Sequence, residues 1–477
     1  MRQRFLTFAI FGLIVVGLAE WNLQTRRLAP LQSLADFWLE FCIGNSGGKV
    51  GQPAVTVVRI GDEYEPLALG GESPSPDAPL TRLDYATLFG LIGKLNPKSV
   101  AFLPTPTFDE DLVLNQPDVV PLRDTALQLP RLVVAANVTD EPATSDSGTQ
   151  LDWPEVSATG PTKSLLAFTR TVRPPDPQIL ANGDPAFKTI ESARGLLSPE
   201  TLRVPLVARH GERVVPSLVL AAVARHAGIP LGAVEVDLAA DPAVIRLGDR
   251  YAVPIEADGT FVVPQKAGLR GEIHSLRSSA DGSMTRKHHF TTLTVDELSY
   301  TGDKDDEVAR RILSDLQGRF RSVGENLVLI GFDRAQDRRI GTEFGEALSE
   351  TMLIARAVAA IQSGRYIEWW PSWLRWGSVL LIAGIAALLF RLPRGKFAPI
   401  WLVTTLVYFG LCVLLFSNSL MWTPPFYALG LFGLMLLIGL ILPGDNAESG
   451  TSDDEHRGAF APDAGTRRGS NSPEHAD

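Results

Sequence analysis

Four strongly apolar stretches constrain the fold of this 477-residue chain most, because such stretches need either lipid or a large protein core around them. One lies at residues 5–21, and the others lie at residues 376–390, 397–416 and 426–442. A helix of roughly 20 apolar residues crosses a hydrocarbon layer of about 30 Å. Three such runs so close together are not typical of buried core helices. We therefore predict an N-terminal anchor helix and three C-terminal transmembrane helices.

The two loops between the C-terminal runs differ in charge, and this difference predicts the orientation. The turn at residues 391–396 holds three cations, whereas residues 417–425 hold no charged side chain. Short loops rich in Lys and Arg stay in the cytoplasm. We expect the first turn inside the cell and the second outside. Arg2 and Arg4, which precede the N-terminal run, agree with this orientation.

This orientation exports residues 28–370 and places residues 1–4 and 443–477 in the cytoplasm. We interpret the N-terminal run as an uncleaved signal anchor, although small residues at positions 17 and 19 leave cleavage open. The acidic tail has almost no large apolar side chains, so we expect it to be disordered. The predicted location is the inner (plasma) membrane of a bacterium, with several crossings.

Composition argues against nucleic acid as a partner and against a disulfide within the exported domain. The formal net charge is −10, which argues against nucleic-acid binding because such binding needs a basic face. The two cysteines are Cys42 and Cys412, and the second lies within an apolar run. Residues 28–370 therefore hold one thiol, and we expect no disulfide within this exported domain.

Strand-like and helix-like stretches alternate between the apolar ends. The segments AVTVVRI (54–60), SVAFLP (99–104) and RLVVAANV (131–138) have strand composition, and RLDYATLFGLIGKL (82–95) has apolar residues at helical spacing. NLVLIG (326–331) is a further buried strand. This order predicts an α/β fold, with a mixed, mainly parallel sheet and helices on both of its faces.

We make two further predictions, for residues 139–200 and for residues 346–362. Residues 139–200 are rich in Pro, Ser, Thr and Asp without a clean period, so we expect a long excursion over the surface. Residues 346–362 have a helical pattern, and we expect this helix to lead through four tryptophans into the first C-terminal span. Such a continuous path would pass movement of the domain to the membrane.

Five pieces of the chain follow one another in an order that is typical of a known family. They are VTVVRIGDEYEPLALG (55–70), LTRLDYATLFGLIGKLNPKSVAF (80–102), PSLVLAAVA (216–224), VPIEADGTFVV (253–263) and NLVLIGFDRAQD (326–337). Together with the three following spans, they resemble the CHASE domain of the second type, the cyclase/histidine-kinase-associated sensory extracellular domain. The resemblance covers nearly all of residues 1–445.

The resemblance implies a sensor of an extracytoplasmic cue. Family members commonly carry a cytoplasmic cyclase, kinase or similar output domain, for which residues 443–477 leave no room. The resemblance thus implies a separate protein partner that supplies the output, and family analogy implies a homodimer. Leu103 stands where the family usually has aspartate, and Ile354 stands where a histidine falls, in SETMLIARA (349–357). We expect part of any family ligand site to be missing.

Charged residues that follow two buried strands form the predicted ligand site. Two acids follow the strand at residues 54–60 and two follow the strand at residues 326–331. If these strands are parallel, their acids share the carboxyl edge of the sheet, where α/β proteins bind ligands. The predicted site residues are Asp62, Glu63, Arg82, Asp333, Arg334 and Asp337.

The chemistry of this set leaves several possibilities open. Clustered carboxylates could hold Mg²⁺ or Ca²⁺, or pair with the arginines around an anionic ligand. The alternative is that these residues cap turns and remain solvated loop charges. We assign no metal and no cofactor.

The sequence holds no motif that predicts catalysis. It has no H-E-x-x-H, phosphate loop or paired-cysteine zinc motif. GNSGG (44–48) matches the G-x-S-x-G pattern, but it lacks the strand before and the helix after that a nucleophile elbow requires. We predict a non-enzymatic membrane sensor. Two alternatives stay open: an envelope scaffold without a small ligand, and an extracytoplasmic hydrolase whose groups are distant in sequence.

Overall fold

The structure is a computed structural model. It describes residues 2–25, 28–45, 54–61, 80–106, 119–141, 151–190, 203–263, 277–278, 284–285, 291–299, 314, 316–321, 323–334, 339–341, 347–364 and 366–442.

Within this described part of the chain, the α-helices are α1 (Arg2–Thr25), α2 (Ala29–Asn45), α3 (Arg82–Lys94), α4 (Val119–Gln128), α5 (Pro177–Leu180), α6 (Leu218–Ala227), α7 (Val295–Ser299), α8 (Glu350–Gln362), α9 (Ser372–Leu389), α10 (Arg394–Ser419) and α11 (Phe426–Ile441). The strands are β1 (Val55–Ile60), β2 (Ser99–Phe102), β3 (Leu132–Thr139), β4 (Ser157–Thr159), β5 (Ala167–Phe168), β6 (Arg170–Arg173), β7 (Gly183–Ile190), β8 (Arg203–Pro205), β9 (Val207–His210), β10 (Arg213–Pro216), β11 (Val234–Asp237), β12 (Val244–Leu247), β13 (Tyr251–Pro254), β14 (Thr260–Val262), β15 (Arg277–Ser278), β16 (Met284–Thr285), β17 (Thr291–Thr294), β18 (Leu327–Phe332), β19 (Arg339–Gly341), β20 (Ala347–Ser349), β21 (Glu368–Trp369) and β22 (Met421–Trp422).

A mostly parallel sheet forms the centre of the hydrophilic part. Its strands lie in the order β17-β1-β18-β2-β3, and β7 pairs with β3 on the outer side. These pairings are all parallel, whereas β6 pairs antiparallel with the end of β3. Val57, Leu329, Ala101 and Val133 form one row across four strands and are fully buried. The sequence prediction of a mixed α/β fold with a mainly parallel sheet is confirmed.

Helices cover both faces of this sheet. The helices α3, α4, α5 and α7 share one hydrophobic cluster with its first face, and α6 and α8 share another with the opposite face. Because the strands are buried on both sides, they read as continuous apolar runs rather than as alternating ones. A smaller sheet, in the order β13-β12-β11-β4, packs on the outer side of α6 and α8.

The prediction of a surface excursion over residues 139–200 is wrong for residues 170–173 and 183–190, which form β6 and β7 of the central sheet. Strand β7 pairs with β3 along six positions. Strand β7 is difficult to predict from the sequence because it contains Pro185, which cannot donate a ladder hydrogen bond. Such a proline is tolerated here because β7 lies at the edge of the sheet.

The apolar helices pack together and form a second structural region. Three of them, at Arg2–Asn22, Ser372–Leu389 and Gly395–Ser419, are long and apolar enough to cross a membrane. The fourth predicted span corresponds to α11, which is apolar but has only 16 residues. The helix α2, which falls within the predicted exported domain, packs on α10 and shares the buried cluster of this bundle.

The predicted continuous helix into the first C-terminal span is interrupted. Helix α8 ends at Gln362, and Gly364 follows with a positive φ of 65°. The chain then forms the short strand β21 before α9 begins at Ser372. The domain is thus joined to the bundle through a strand and not through an unbroken helix.

Candidate functional site

The carboxyl edge of the central sheet brings together the ends of β1, β18 and β2, as the parallel strands predict. Ile60 pairs with Phe332, and Ile330 pairs with Phe102. Asp333 follows directly, and its amide donates to the carbonyl of Ile60 at 3.0 Å. The other predicted acids, at positions 62, 63 and 337, lie outside the described residues.

Asp333 is held by a basic side chain of the neighbouring strand. Its carboxylate accepts a 3.0 Å hydrogen bond from Arg59 Nη1 and is almost fully buried. The guanidinium of Arg334 lies 4.4 Å from the ring centroid of Phe332, which is a cation–π contact. Asp333 therefore links the end of β18 to β1.

Arg82 lies in a buried ion pair at the start of α3. Its Nη2 is 3.6 Å from Asp176 Oδ2, and both side chains are buried. Asp176 also caps α5, because its Oδ1 accepts from the amide of Gln178 at 2.8 Å. Thr81 and Asp84 form a capping box that fixes the same helix end. The arginine thus joins α3 to α5, and Asp176 is a partner that sequence reasoning missed.

The described residues at this edge form no group of metal-ligand type. Among the described parts of the chain, no group of three or more His, Cys, Asp or Glu side chains has an arrangement that fits a metal ion. Leu103 and Ile354, at the positions where the family resemblance implies polar groups, belong to the hydrophobic cluster under α6 and α8. Both side chains are almost fully buried in this cluster.

A second concave region lies beside the end of β3. This cavity of about 650 Å³ is half open to solvent and is lined by Trp153, Phe168, Arg209 and His210, among others. The His210 ring stacks on Phe168 with centroids 4.7 Å apart, and its Nδ1 lies 3.2 Å from the Phe168 carbonyl oxygen. The cavity therefore has an aromatic wall with cationic groups beside it.

Arg375, at the beginning of α9, forms a joint between the domain and the bundle. Its Nη2 is 2.7 Å from Asp241 Oδ2 and its Nη1 is 3.3 Å from Asp241 Oδ1, so the contact is bidentate. Its Nε lies 3.9 Å from Glu20 Oε1 of α1. The guanidinium is buried, and it also donates to the carbonyl of Trp370 at 3.3 Å. One side chain of α9 thus contacts both the domain and α1.

Arg203 forms a second joint, between β8 and α2. Its Nε donates to Glu256 Oε2 at 2.8 Å, and its Nη2 donates to Asp36 Oδ1 of α2, also at 2.8 Å. Thr260 Oγ1 donates to the same Glu256 oxygen at 2.9 Å. Burial alone lowers the pKa of Arg203, but the carboxylates of Glu256 and Asp36 raise it by more, so the net pKa lies above the ordinary range. Arg203 therefore remains positively charged in the folded chain.

A two-stranded parallel ladder completes the contact between domain and bundle. Glu368 pairs with Met421 and Trp369 pairs with Trp422, so β21 meets β22 after α10. The amide of Trp370 donates to the carbonyl of Trp422 at 2.8 Å, and the rings of Trp369 and Trp422 meet edge to face at 4.7 Å. The segment that leaves the domain is thereby fixed to the loop between α10 and α11.

The end of the bundle that lies away from the domain carries basic residues. Arg4 Nε donates to the carbonyl of Leu442 at 3.1 Å, and the rings of Phe8 and Phe390 are 5.9 Å apart. The start of α1 and the ends of α9 and α11 therefore lie at one level, far from the joint at Arg375. The basic turn at residues 391–396 lies at this far end.

Comparison with protein-family models, with curated proteins and with solved structures found no match to this chain. The family resemblance of the sequence therefore stays a prediction.

Proposed function

We propose that the chain is an integral membrane protein whose α/β domain lies outside the cytoplasm. The exposed side chains of the bundle support a lipid surround, because Leu13, Leu380, Leu406 and Ile441 are all more than 60% exposed. The basic far end supports the orientation, since short basic loops remain in the cytoplasm.

We include α11 as the fourth membrane-crossing helix, although it is short. It runs antiparallel to α1, with Leu442 beside Arg4, and Gly430 faces Val15. A Cβ at Gly430 would lie 2.6 Å from the Val15 Cγ1, so the two helices are in close contact. A helix that accompanies α1 over this length covers about the same depth of bilayer.

We propose further that the protein is a membrane sensor. An extracytoplasmic cue would act on the α/β domain, and the change would pass to the helices and from them to a separate protein partner. The observation that carries this proposal is the contact of Arg375 with Asp241 of the domain and Glu20 of α1. A buried guanidinium with partners in both regions couples their positions, because separation of the pair would leave a buried charge without compensation.

Fusions and labelling test the membrane arrangement. Alkaline phosphatase fused after residue 442 should be inactive, whereas a green fluorescent protein at the same place should be bright. A cysteine at the exposed position Glu235 should react with a membrane-impermeant maleimide in spheroplasts. The opposite result for either measurement would contradict the orientation.

Ligand screening of the full chain in nanodiscs tests the sensory role. Metabolites and divalent cations are screened by thermal shift, and each stabilising compound is then examined by hydrogen exchange. A sensor should show changed protection at residues 366–376 and 420–426, and the variant Asp241→Asn should lose that change while it retains binding. Stabilisation without any change at these segments would refute transmission.

A scaffold role is the second candidate. It is favoured by the carboxyl edge, where Asp333 and Arg82 lie in ion pairs with Arg59 and Asp176. Such paired charges stabilise the fold and do not require a small ligand. Stabilisation only by another envelope protein, with no small-molecule hit, would support this alternative. The predicted site is tested by Asp62→Asn and Asp337→Asn, and an unchanged ligand response in both variants would exclude it.

A further inference from the structure

Helix α2 has one face on the bundle and large aromatic side chains on the other. Leu39, Cys42 and Ile43 are buried in the cluster shared with the apolar helices. Phe37 and Phe41, one turn apart, are 64% and 47% exposed. Exposed phenylalanines on an otherwise well-packed helix indicate a surface that contacts something other than water.

The depth of α2 follows from its contact with α10. The rings of Trp38 and Phe409 meet edge to face at 5.2 Å. Phe409 lies about two helical turns, or about 10 Å, before Phe416, where the apolar run of α10 gives way to the polar residues 417–419. This depth matches that of interfacial helices, whose apolar faces reach about 5–10 Å into the boundary of the acyl chains.

The polar contact of α2 points to the domain. Asp36, next to Phe37, accepts from Arg203 at 2.8 Å, and Arg203 is bound in turn to Glu256 at 2.8 Å. The buried Val262 of β14 joins the same cluster as α2. The helix thus lies between the bundle and the domain, with its acid toward β8.

We propose that α2 is an interfacial helix whose Phe37 and Phe41 contact lipid acyl chains at the outer boundary of the bilayer. The inference rests on the proposed membrane arrangement, since it needs α10 to cross the bilayer. Helix α10, on which α2 packs, exposes Leu406, Leu411 and Leu415 within two turns of the contact residue Phe409, and this argues for acyl chains as the occupant. Through Asp36, the position of a lipid-contacting helix becomes coupled to Arg203 and Glu256 of the domain. The lipid itself is then one of the inputs to the sensor.

Single labelled cysteines in the full chain test this proposal. The variants Phe37→Cys and Phe41→Cys carry an environment-sensitive nitrobenzoxadiazole label in nanodiscs of phosphatidylethanolamine and phosphatidylglycerol, with and without doxyl-labelled lipid. Leu381→Cys is the control for a lipid-exposed position of α9, and Glu235→Cys is the aqueous control. The native Cys42 and Cys412 are buried, and a Cys42→Ala, Cys412→Ala background removes any residual labelling.

The expected result is blue-shifted emission at positions 37 and 41, with doxyl quenching of at least about half that at position 381. Quenching no greater than at position 235 would overturn the inference. A blue shift without doxyl quenching would also overturn it, because another copy of the chain would then cover this face. If position 381 itself is not quenched, the proposed membrane arrangement fails, and the inference fails with it. The two failures are therefore distinguishable.

Discussion

Replacement of Arg203 by methionine should destabilise the folded chain by about 3–5 kcal/mol at neutral pH. The arginine side chain is 10% exposed and that of Glu256 only 2%. Methionine is similar in length, so the change removes the charge and leaves little cavity. Thr260 still donates to Glu256 at 2.9 Å, but a neutral hydroxyl cannot compensate a buried negative charge. Asp36 is nearer to solvent, so the main loss arises at Glu256.

Thermal unfolding of the full chain in nanodiscs, followed by circular dichroism, measures this loss. A destabilisation of this size should lower the melting temperature by roughly 4–7 °C, because the unfolding entropy of a domain of about 340 residues is about 0.7 kcal/mol/K. The matched control is Arg246→Met, because Arg246 and Asp237 are 51% and 29% exposed and 3.7 Å apart. Such an exposed pair contributes about 0–1 kcal/mol, so the control should melt close to the wild type.

The double variant Arg203→Met, Glu256→Gln separates the two causes of the loss. Removing the orphaned carboxylate should recover at least about 2 kcal/mol, so the two substitutions should be strongly non-additive. Two results would refute the reasoning. One is an Arg203→Met protein that melts within about 2 °C of the wild type. The other is a double variant whose loss equals the sum of the single losses, because the buried charge would then not be the cause.

Three further predictions concern the hydrophilic domain, each measured by chemical unfolding of the full chain. Burial, with three neighbouring cations, lowers the pKa of His226 to about 4. Since the unfolded value is near 6.5, the unfolded chain binds a proton first as the pH falls from about 6.5 to 4, and stability is lost in that window. His226→Gln should reduce this loss by about 2–3 kcal/mol, and an unchanged pH profile would contradict the assignment. Gly331→Ala should lower the free energy of unfolding by about 1–3 kcal/mol, because the added Cβ would overlap the Thr351 side chain. Thr351→Ala should restore part of this loss in the double variant, and an unchanged stability of Gly331→Ala would disprove the close packing. Phe89→Ala should cost about 3–5 kcal/mol, since Phe89 is fully buried and meets Phe102 edge to face; a loss below about 1 kcal/mol would show that this core relaxes.

The strands of the central sheet could be predicted because they are buried on both faces. β1, β2, β3 and β18 read as short β-branched or apolar runs, and each coincides with its predicted segment to within one residue at its C-terminal end, apart from β2, which ends two residues earlier. Helix α3 could be predicted from its apolar period, and its capping box at Thr81 fixes the start that the sequence indicates. In these elements, local pattern and tertiary burial agree.

The sequence could not reveal elements whose stability comes from distant partners. Strand β7 contains a proline and exists because β3 presents an edge to it. Helix α2 carries Asp36 among apolar residues. Its apolar side chains pack in the cluster of the bundle, and Asp36 pairs with Arg203, so both kinds of side chain have their partners in distant segments. Neither partner is close in sequence.

The contacts of the candidate-site residues could not be predicted, for the same reason. The parallel strands correctly place Asp333 at the end of β1, but its partner Arg59 was not foreseen. Arg82 pairs with Asp176, which lies far along the chain. Charge pairs between remote segments leave no local periodicity, so residue type and spacing cannot identify them. The joint at Arg375 and Asp241 is of this kind as well.

The ladder of β21 and β22 limits how the first two C-terminal helices can move. It ties the start of α9 to the end of α10 on the domain side, and the short turn at residues 391–396 ties them at the other end. A hairpin closed at both ends cannot slide like a piston, one helix past the other. Any movement of the domain that reaches α9 should therefore tilt or rotate the two helices together against α1 and α11.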